Sequence, residues 1–427
     1  LDGEVEQLRA LQRQLDLSPL QNISQAKYDV MSPLQWPFTT SDELQGMQGL
    51  NSKRPFADKQ FSTPNGKAKL IPVVFKAPQQ QTSKLFPFVV NSGRARDQWH
   101  TMTRTGKAAK LLAHTPNASV HVSPHDAKTL GARNKDYVAL HSAACVDAPV
   151  IYPVKIDEDM RKGEVFIPIH WSAQYGSHCK LGALYASAVD PISGQPELKH
   201  AAVAIETVRF TTYGKVFVAS MAQNAQLGEF NFLDEVALQH ACDYWTKTPI
   251  EGAVLPANTN LSGDASTVFN IASNKGRRAF TQDVLPLLPQ NTVLLQFHHH
   301  TYSVCIALVD DKLCFAAFLG DEPEQEAAVD ANVGWSVPNA WVASLLNTSI
   351  SLETQRKLLR TQVDEAFLNG DVVCSCFEVR EKTISDAIEG GCSSVTELGK
   401  KLKCGTNCGS CKPALSQRIN QHTLIGA

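Results

Sequence analysis

Four cysteines near the C-terminus are the residues of this 427-residue chain that are best suited to chemistry. They form two close pairs, Cys374-x-Cys376 and Cys408-x2-Cys411, on either side of positions 377–407. The chain has eleven cysteines, too few for its length to form a disulfide scaffold, and close cysteine pairs in such a chain are typical of metal ligands. The spacing predicts that the four thiolates hold an iron–sulfur cluster, a group that moves electrons.

Two other interpretations of these cysteines stay open. Tetrahedral zinc also accepts four thiolates, although structural zinc sites more often space each pair by two to four residues. Cys404 lies four residues before Cys408, either as a fifth ligand or as a spare thiol beside the cluster. Cys392 is expected to be a small packing residue.

The segments around the cysteines predict the elements that would position them. TISDAIEGG reads as a short helix ended by Gly390, and a capping box at Ser394 and Glu397 starts a second helix that ends near Lys403. A glycine-rich loop, CGTNCGSC, follows, and Pro413 opens a last helix. The loop glycines let backbone amides approach the sulfurs, and a helix N-terminus favours the negative charge of the last thiolate.

With these features, CSCFEV, the helix pair and GTNCGSCKP resemble the bacterioferritin-associated ferredoxin type of 2Fe-2S domain. The resemblance covers about sixty residues and implies a small helical 2Fe-2S domain over residues 366–427. It implies that its four metal ligands are Cys374, Cys376, Cys408 and Cys411.

A second candidate site is a basic loop that follows the strand-like run LFPFVV. Within NSGRARDQWHTMTRTGKAAK, five basic residues are opposed only by Asp97: Arg94, Arg96, Arg104, Lys107 and Lys110. Arginine forks bind phosphate with two hydrogen bonds, the loop hydroxyls add donors, and Trp99 adds a flat face. The loop therefore suits a phosphorylated ligand; a solvated basic loop is the alternative from composition alone.

Residues 85–210 supply the frame for this loop. They are rich in short β-branched or aromatic runs: LFPFVV, DYVALHS, APVIYPVKI, EVFIPIHW and AAVAIETVRF. One helix interrupts them, capped by Ser123, with Pro124 in its first turn and Gly131 at its end.

Four blocks in this order, SGRARDQWHTMTRTG, SPHDAKTLGARNKDYVAL, GEVFIPIHW and DPISGQPELK, resemble the C-terminal dinucleotide-binding domain of the molybdopterin oxidoreductases. That domain is a double-psi β-barrel that holds bis-molybdopterin guanine dinucleotide. TPNGKAKLIPV resembles the connector from the preceding large domain. The resemblance implies that the pterin or its phosphates contact Ser92, Gly93, Arg94, Trp99, His100, Thr101 and Arg104, with His170 and Lys199 near the pterin. Outside this context His170 would be a satisfied buried histidine and Lys199 a solvated lysine.

Residues 211–365 are predicted to form an α+β linker domain without a chemical motif. Strand-like NTVLLQFHHHTYSVCIALVDD and KLCFAAFLG meet at an Asp-Asp turn, and WVASLL and LETQRKLLRTQ read as helices. His298, His299 and His300 lie in a strand-like run, where neighbouring side chains point to opposite faces, so a structural or surface role is expected. Trp335 and Trp341 are expected to be core or interface anchors.

The composition describes an ordinary folded chain. Forty Lys+Arg against forty-two Asp+Glu give a net charge of −2, so nothing in the overall charge favours nucleic acid or membrane as a partner. No apolar run approaches the ~18 residues that span a bilayer. The chain begins at Leu1 with neither a signal core nor a twin-arginine pair, which suggests a processed chain or a fragment. The sparse cysteines favour a reducing compartment, the cytoplasm.

The predicted fold class is mixed α/β and multidomain, with residues 1–84 as a remnant of a large domain and connector. The order of barrel, linker and cysteine tail resembles bacterial assimilatory nitrate reductases. This implies molybdenum-dependent reduction of nitrate to nitrite, with electrons from a flavin-containing NAD(P)H reductase, a ferredoxin or a flavodoxin. They would enter at the 2Fe-2S cluster and pass through a 4Fe-4S cluster.

Neither the 4Fe-4S cysteines nor a molybdenum ligand is found in the sequence, so this polypeptide alone is expected to be inactive. Two alternatives remain. One is another molybdopterin oxidoreductase, such as a formate dehydrogenase, and the other is a non-catalytic iron–sulfur electron carrier.

Overall fold

A computed structural model describes residues 24–26, 59–61, 63–70, 72, 74–112, 114–191, 193–219, 235–250, 266–324, 335–364, 367–370 and 372–425. The chain divides into two units, Leu1–Ala77 and Pro78–Ala427. Most of residues 1–84, the predicted remnant of a large domain and connector, lies outside these described residues. In the first unit, Gly66 adopts a φ of 66°, and its N–H donates to the Thr63 carbonyl, which closes the turn predicted at Asn65-Gly66.

The β-rich segment of the second unit closes into a six-stranded barrel. Around it the strands follow the order β1-β5-β2-β4-β3-β6, with β1–β5 and β2–β4 parallel and the other pairs antiparallel. The predicted barrel is confirmed; the three-residue strand β2 was not foreseen. The strands are β1 (Phe88–Gly93), β2 (Val120–Val122), β3 (Tyr137–Ser142), β4 (Cys145–Ile156), β5 (Glu164–Pro168) and β6 (Ala201–Val208).

Two helices accompany the barrel, α1 (Ala109–Leu112) and α2 (Pro124–Leu130). The capping prediction for α2 is confirmed, because the Ser123 side chain accepts a hydrogen bond from the Asp126 N–H. Gly131 ends the helix in the left-handed region, with a φ of 65°.

A six-stranded antiparallel sheet follows, in the order β10-β11-β12-β7-β9-β8. Its strands are β7 (Thr212–Val218), β8 (Tyr244–Ile250), β9 (Ser266–Ser273), β10 (Val293–His298), β11 (Tyr302–Val309) and β12 (Lys312–Gly320). Helices α3 (Glu235–Ala241), α4 (Arg277–Val284), α5 (Asn339–Leu345) and α6 (Leu352–Leu359) complete the region. The Asp310–Asp311 turn is confirmed, with φ values of 49° and 60°. Trp335 and Trp341, expected to be core or interface anchors, are both buried.

The histidine run is not one strand, so the predicted continuous strand was wrong, whereas the exposure of His298 and His300 agrees with the expected surface role. His298 ends β10, and the His299 N–H donates to the Tyr302 carbonyl, which closes a turn into β11. The strand-like residues on both sides hid this turn because it contains neither glycine nor proline.

One hydrophobic core joins the barrel to this central sheet. A buried ion pair lies at the junction, where Lys215 Nζ is 2.5 Å from Glu324 Oε1 and Lys135 Nζ is 3.4 Å from Glu324 Oε2. Burial alone would raise the pKa of Glu324, but the two lysines lower it to about 2. The junction is thus held by a carboxylate that stays charged.

The C-terminal domain has its own small core, built around Ile384, Leu398 and Leu415. A two-stranded sheet of β13 (Val372–Cys374) and β14 (Val379–Arg380) precedes α7 (Glu381–Glu389), α8 (Val395–Leu402) and α9 (Lys412–Ile425). The predicted helices and the Ser394 cap are confirmed. No helix within the described part of the chain is long and apolar enough to cross a bilayer.

Candidate functional site

The basic loop leaves the barrel at the end of β1, where Gly93 makes close contact with β5. A Cβ atom at this position would lie 2.4 Å from the Phe166 ring, inside any allowed contact distance. The Ile169 N–H donates to the Gly93 carbonyl, so the two strand ends stay together. Glycine therefore leaves room at the start of the loop for the Phe166 ring.

His170 holds this loop from beneath. Its side chain is fully buried, Nε2 accepts a hydrogen bond from the Ala95 N–H at 2.7 Å, and Nδ1 donates to the His100 carbonyl. Burial lowers the pKa of His170, and the nearby charge of Arg94 lowers it further, so the ring is neutral. The structure thus makes His170 a satisfied buried histidine that fixes the loop, and its contact with a pterin stays a prediction.

The outer face of the loop presents cationic and aromatic groups to solvent. The Arg94 guanidinium lies 5.5 Å from the centre of the Trp99 ring, which is 45% exposed and meets His100 edge-on. Thr101 and Arg104 are exposed on the same loop. These groups can bind a flat ligand that carries phosphate. The side chains of Lys107 and Lys110 lie outside the described residues.

Ser92 and Lys199, predicted from separate blocks, are brought together. The Ser92 hydroxyl donates to the Leu198 carbonyl at 2.5 Å, and Lys199 Nζ donates to the Ser92 carbonyl. The PELK segment is therefore tied to the end of β1, beside the start of the basic loop.

Two buried polar atoms next to predicted residues have no hydrogen-bond partner within the described part of the chain. They are Trp171 Nε1, one residue after His170, and His200 Nε2, one residue after Lys199. Buried polar atoms are almost always paired, so a polar ligand at this end of the barrel would fit them. Sequence reasoning did not single out either residue, although both adjoin residues that it did name.

The four C-terminal cysteines are arranged as two pairs, each with one cysteine from each loop. The Cys376 and Cys408 Sγ atoms lie 3.3 Å apart, and the thiols of Cys374 and Cys411 share a hydrogen bond. Two thiol pairs suit a binuclear iron cluster, in which each iron takes two protein thiolates. No group of three or more His, Cys, Asp or Glu side chains among the described residues forms a single-ion metal site.

The two pairs differ in burial and charge. Cys374 and Cys411 are buried, and burial raises the pKa of Cys411 to about 11. Cys408 is exposed, and hydrogen bonds with the Ser410 side chain and backbone, and then with Cys376, lower its pKa to about 7. Such a thiol is readily deprotonated for metal binding.

Cys404 is fully buried in the same small core, and burial and then the charge of Cys374 raise its pKa. Cys404 therefore lies near Cys374, as expected for a spare thiol beside the four proposed ligands. Its role as a fifth ligand stays a prediction.

Comparison with known families gives two matches. Residues 88–202 match the molybdopterin dinucleotide binding domain, and residues 372–421 match the BFD-like [2Fe-2S] binding domain. The first match covers the barrel from β1 to the start of β6, with its basic loop, and the second covers the four paired cysteines.

The chain is also similar to curated proteins over longer stretches. A nitrate reductase of Klebsiella oxytoca is 28% identical over 95% of this chain, which spans 40% of that protein. A nitrate reductase of Shewanella frigidimarina is 31% identical over 47% of the chain and 23% of that protein. The F420-dependent formate dehydrogenase subunit alpha of Methanocaldococcus jannaschii is 31% identical over 35% of the chain and 21% of that protein.

Proposed function

We propose that this chain, which carries a molybdopterin dinucleotide-binding domain and a BFD-like 2Fe-2S domain, works as part of a molybdenum-dependent nitrate reductase. In this proposal it serves nitrate assimilation in the cytoplasm. Its C-terminal domain faces the electron donor, a flavin-containing NAD(P)H reductase, a ferredoxin or a flavodoxin.

One observation carries the choice of nitrate. The Klebsiella oxytoca nitrate reductase matches 95% of the chain, a length that includes the barrel, the central sheet and the cysteine domain together. The formate dehydrogenase match extends over 35% of the chain. A single domain occurs in proteins of many different activities, so a match over three consecutive regions supports one activity more strongly than a match over one domain.

Within this function, the chain's own residues bind and position two groups. Arg94 and Arg104 would bind phosphate, Trp99 would cover a flat ring, and His170 would keep the loop in place. Four thiolates would hold the cluster: Cys374, Cys376, Cys408 and Cys411. When bound, the molybdenum cofactor supplies oxygen-atom transfer and the iron–sulfur cluster supplies one-electron transfer.

A chimera tests the proposal. It joins the preceding part of the Klebsiella oxytoca nitrate reductase to residues 1–427 of this chain, in place of the segment that the chain matches. We expect the cofactor-loaded chimera to reduce nitrate with a reduced viologen. A chimera that contains molybdenum, guanine nucleotide and iron but turns over no nitrate would contradict the proposal.

The chain by itself provides the second arm of the test. We expect it to bind a cluster and to show no nitrate turnover, and nitrate reduction by this polypeptide alone would contradict that expectation. Guanine nucleotide released by acid from the purified chain reports the pterin dinucleotide. A chain that carries iron and sulfide but no nucleotide under molybdenum-replete expression would favour a simple electron carrier.

A further inference from the structure

The basic loop contacts the cysteine domain directly through Arg96. Its Nη1 donates to the Ser410 carbonyl at 3.1 Å, and its Nη2 donates to the Val373 carbonyl at 3.3 Å. These acceptors lie 314 and 277 residues further along the chain. One guanidinium thus reaches both cysteine-bearing loops, a task for which its planar fork is suited.

The two carbonyls lie next to two of the proposed cluster ligands. Val373 immediately precedes Cys374, and Ser410 immediately precedes Cys411. Ser410 is also linked to Cys408, because its hydroxyl oxygen lies 3.0 Å from that sulfur. Arg96 therefore holds the backbone on which the buried cysteine pair is mounted.

Asp97 and His114 fix the position of Arg96. The Arg96 Nε donates to Asp97 Oδ2 at 3.1 Å, and the same carboxylate oxygen contacts His114 Nδ1. His114 Nε2 lies 2.9 Å from the hydroxyl of Ser375, the residue between Cys374 and Cys376 in the sequence. The exposed fractions of the side chains are 28%, 17% and 9% for Arg96, Asp97 and His114, so Asp97 and His114 are mostly covered while Arg96 keeps contact with solvent.

On the basic loop, Arg96 lies between Arg94 and Trp99, both predicted to contact the pterin. We propose that Arg96, held by Asp97 and His114, is a positioning residue that docks the cysteine loops on the pterin loop and places positive charge beside the cluster. The inference rests on the proposed function, because it requires a bound cluster. A reduced cluster carries one more negative charge than an oxidised one, so a cation held beside it favours reduction.

The test uses the full chain with its cluster, in the variants Arg96→Ala and Arg96→Lys. Arg161→Ala is the matched control, since Arg161 is an exposed barrel arginine with no described contact to the cysteine domain. Iron and sulfide are measured first, and the reduction potential is then followed by electron paramagnetic resonance. We expect Arg96→Ala to lower the potential, Arg161→Ala to leave it at the wild-type value, and Arg96→Lys, which keeps the charge, to fall between them.

Hydrogen–deuterium exchange gives a readout that does not depend on the cluster. Peptides over residues 372–380 and 405–415 should exchange about tenfold faster in Arg96→Ala, the effect of losing one charged hydrogen bond. If wild type and Arg96→Ala both contain the cluster and have equal reduction potentials and equal exchange rates, the role of Arg96 is overturned. That result would leave the proposed function standing. A wild-type chain without iron and sulfide would overturn the proposed function, while the exchange result would still decide the docking.

Discussion

Two regions of this molecule hold the same kinds of side chain in opposite ways. In the barrel and central sheet, the Lys215–Glu324 ion pair is buried, and so is the thiol of Cys305, whose pKa burial raises to about 12. In the C-terminal domain the Arg418–Glu381 pair is partly exposed, and one thiol, Cys408, is exposed with a pKa of about 7, although Cys374, Cys404 and Cys411 are buried. The first region thus encloses its thiol and its ion pair in a core, whereas the second leaves one thiol of its cysteine set open to solvent.

The largest expected difference between the two regions is the reactivity of their thiols. In the cluster-free chain, Cys408 should react with iodoacetamide at half its maximal rate near pH 7 and about tenfold more slowly for each pH unit below that, because the thiolate is the nucleophile. Cys305 should stay unlabelled until the chain unfolds. Peptide mass spectrometry measures the labelling of both cysteines. Equal labelling of Cys408 and Cys305 at neutral pH would contradict the predicted difference in thiol reactivity.

Removing one carboxylate from each region should give the next largest difference. Glu324→Gln leaves Lys215 without its buried partner, which should cost about 3 kcal/mol of unfolding free energy. Glu381→Gln removes a half-exposed pair and should cost about 0.5 kcal/mol. Urea denaturation at neutral pH measures both, and equal losses would contradict the contrast in burial.

The Glu324 contribution should also depend on pH. Its pKa in the folded chain is about 2, below the ordinary value of 4.5, so the stabilisation is fully present above pH 4.5 and lost as the pH falls towards 2. The stabilities of wild type and Glu324→Gln should therefore converge over this window. A difference that stays constant from pH 7 to pH 3 would show that the carboxylate charge does not contribute.

The smallest expected difference concerns two helix caps of the same residue type. Ser394→Ala removes an exposed cap and should cost about 1 kcal/mol. Ser123→Ala should cost about 2 kcal/mol, because the buried Ser123 hydroxyl also donates to Asp126 Oδ2 at 2.8 Å. Urea denaturation of both variants checks the order, and a larger loss at Ser394 would reverse it.

Features set by local sequence were predictable. The caps at Ser123 and Ser394, the turn at Asp310–Asp311 and most barrel strands follow from residue type and short-range pattern. The central sheet was harder to foresee, because a fully buried strand such as β7 has no polar alternation that marks it. Strand β2 has three residues, too few to show a period.

The candidate sites were predictable in their residues but not in their contacts. Spacing identified the cysteines, and composition identified the basic loop, yet Arg96 was only one of five basic residues there. Its contact with Val373 depends on residues 277 apart in sequence, which no local pattern reveals. The role of His170 as a loop clamp likewise depends on the barrel closing correctly.

The most direct test of the cysteine site measures the cluster itself. The chain is purified anaerobically beside Cys408→Ser and the buried-thiol control Cys305→Ser, and its iron, acid-labile sulfide, zinc and electron paramagnetic resonance spectrum are recorded. We predict about two irons and two sulfides per chain in wild type and Cys305→Ser, with a reducible signal that Cys408→Ser loses. Zinc without sulfide, or an unchanged cluster in Cys408→Ser, would contradict the assignment of the four cysteines.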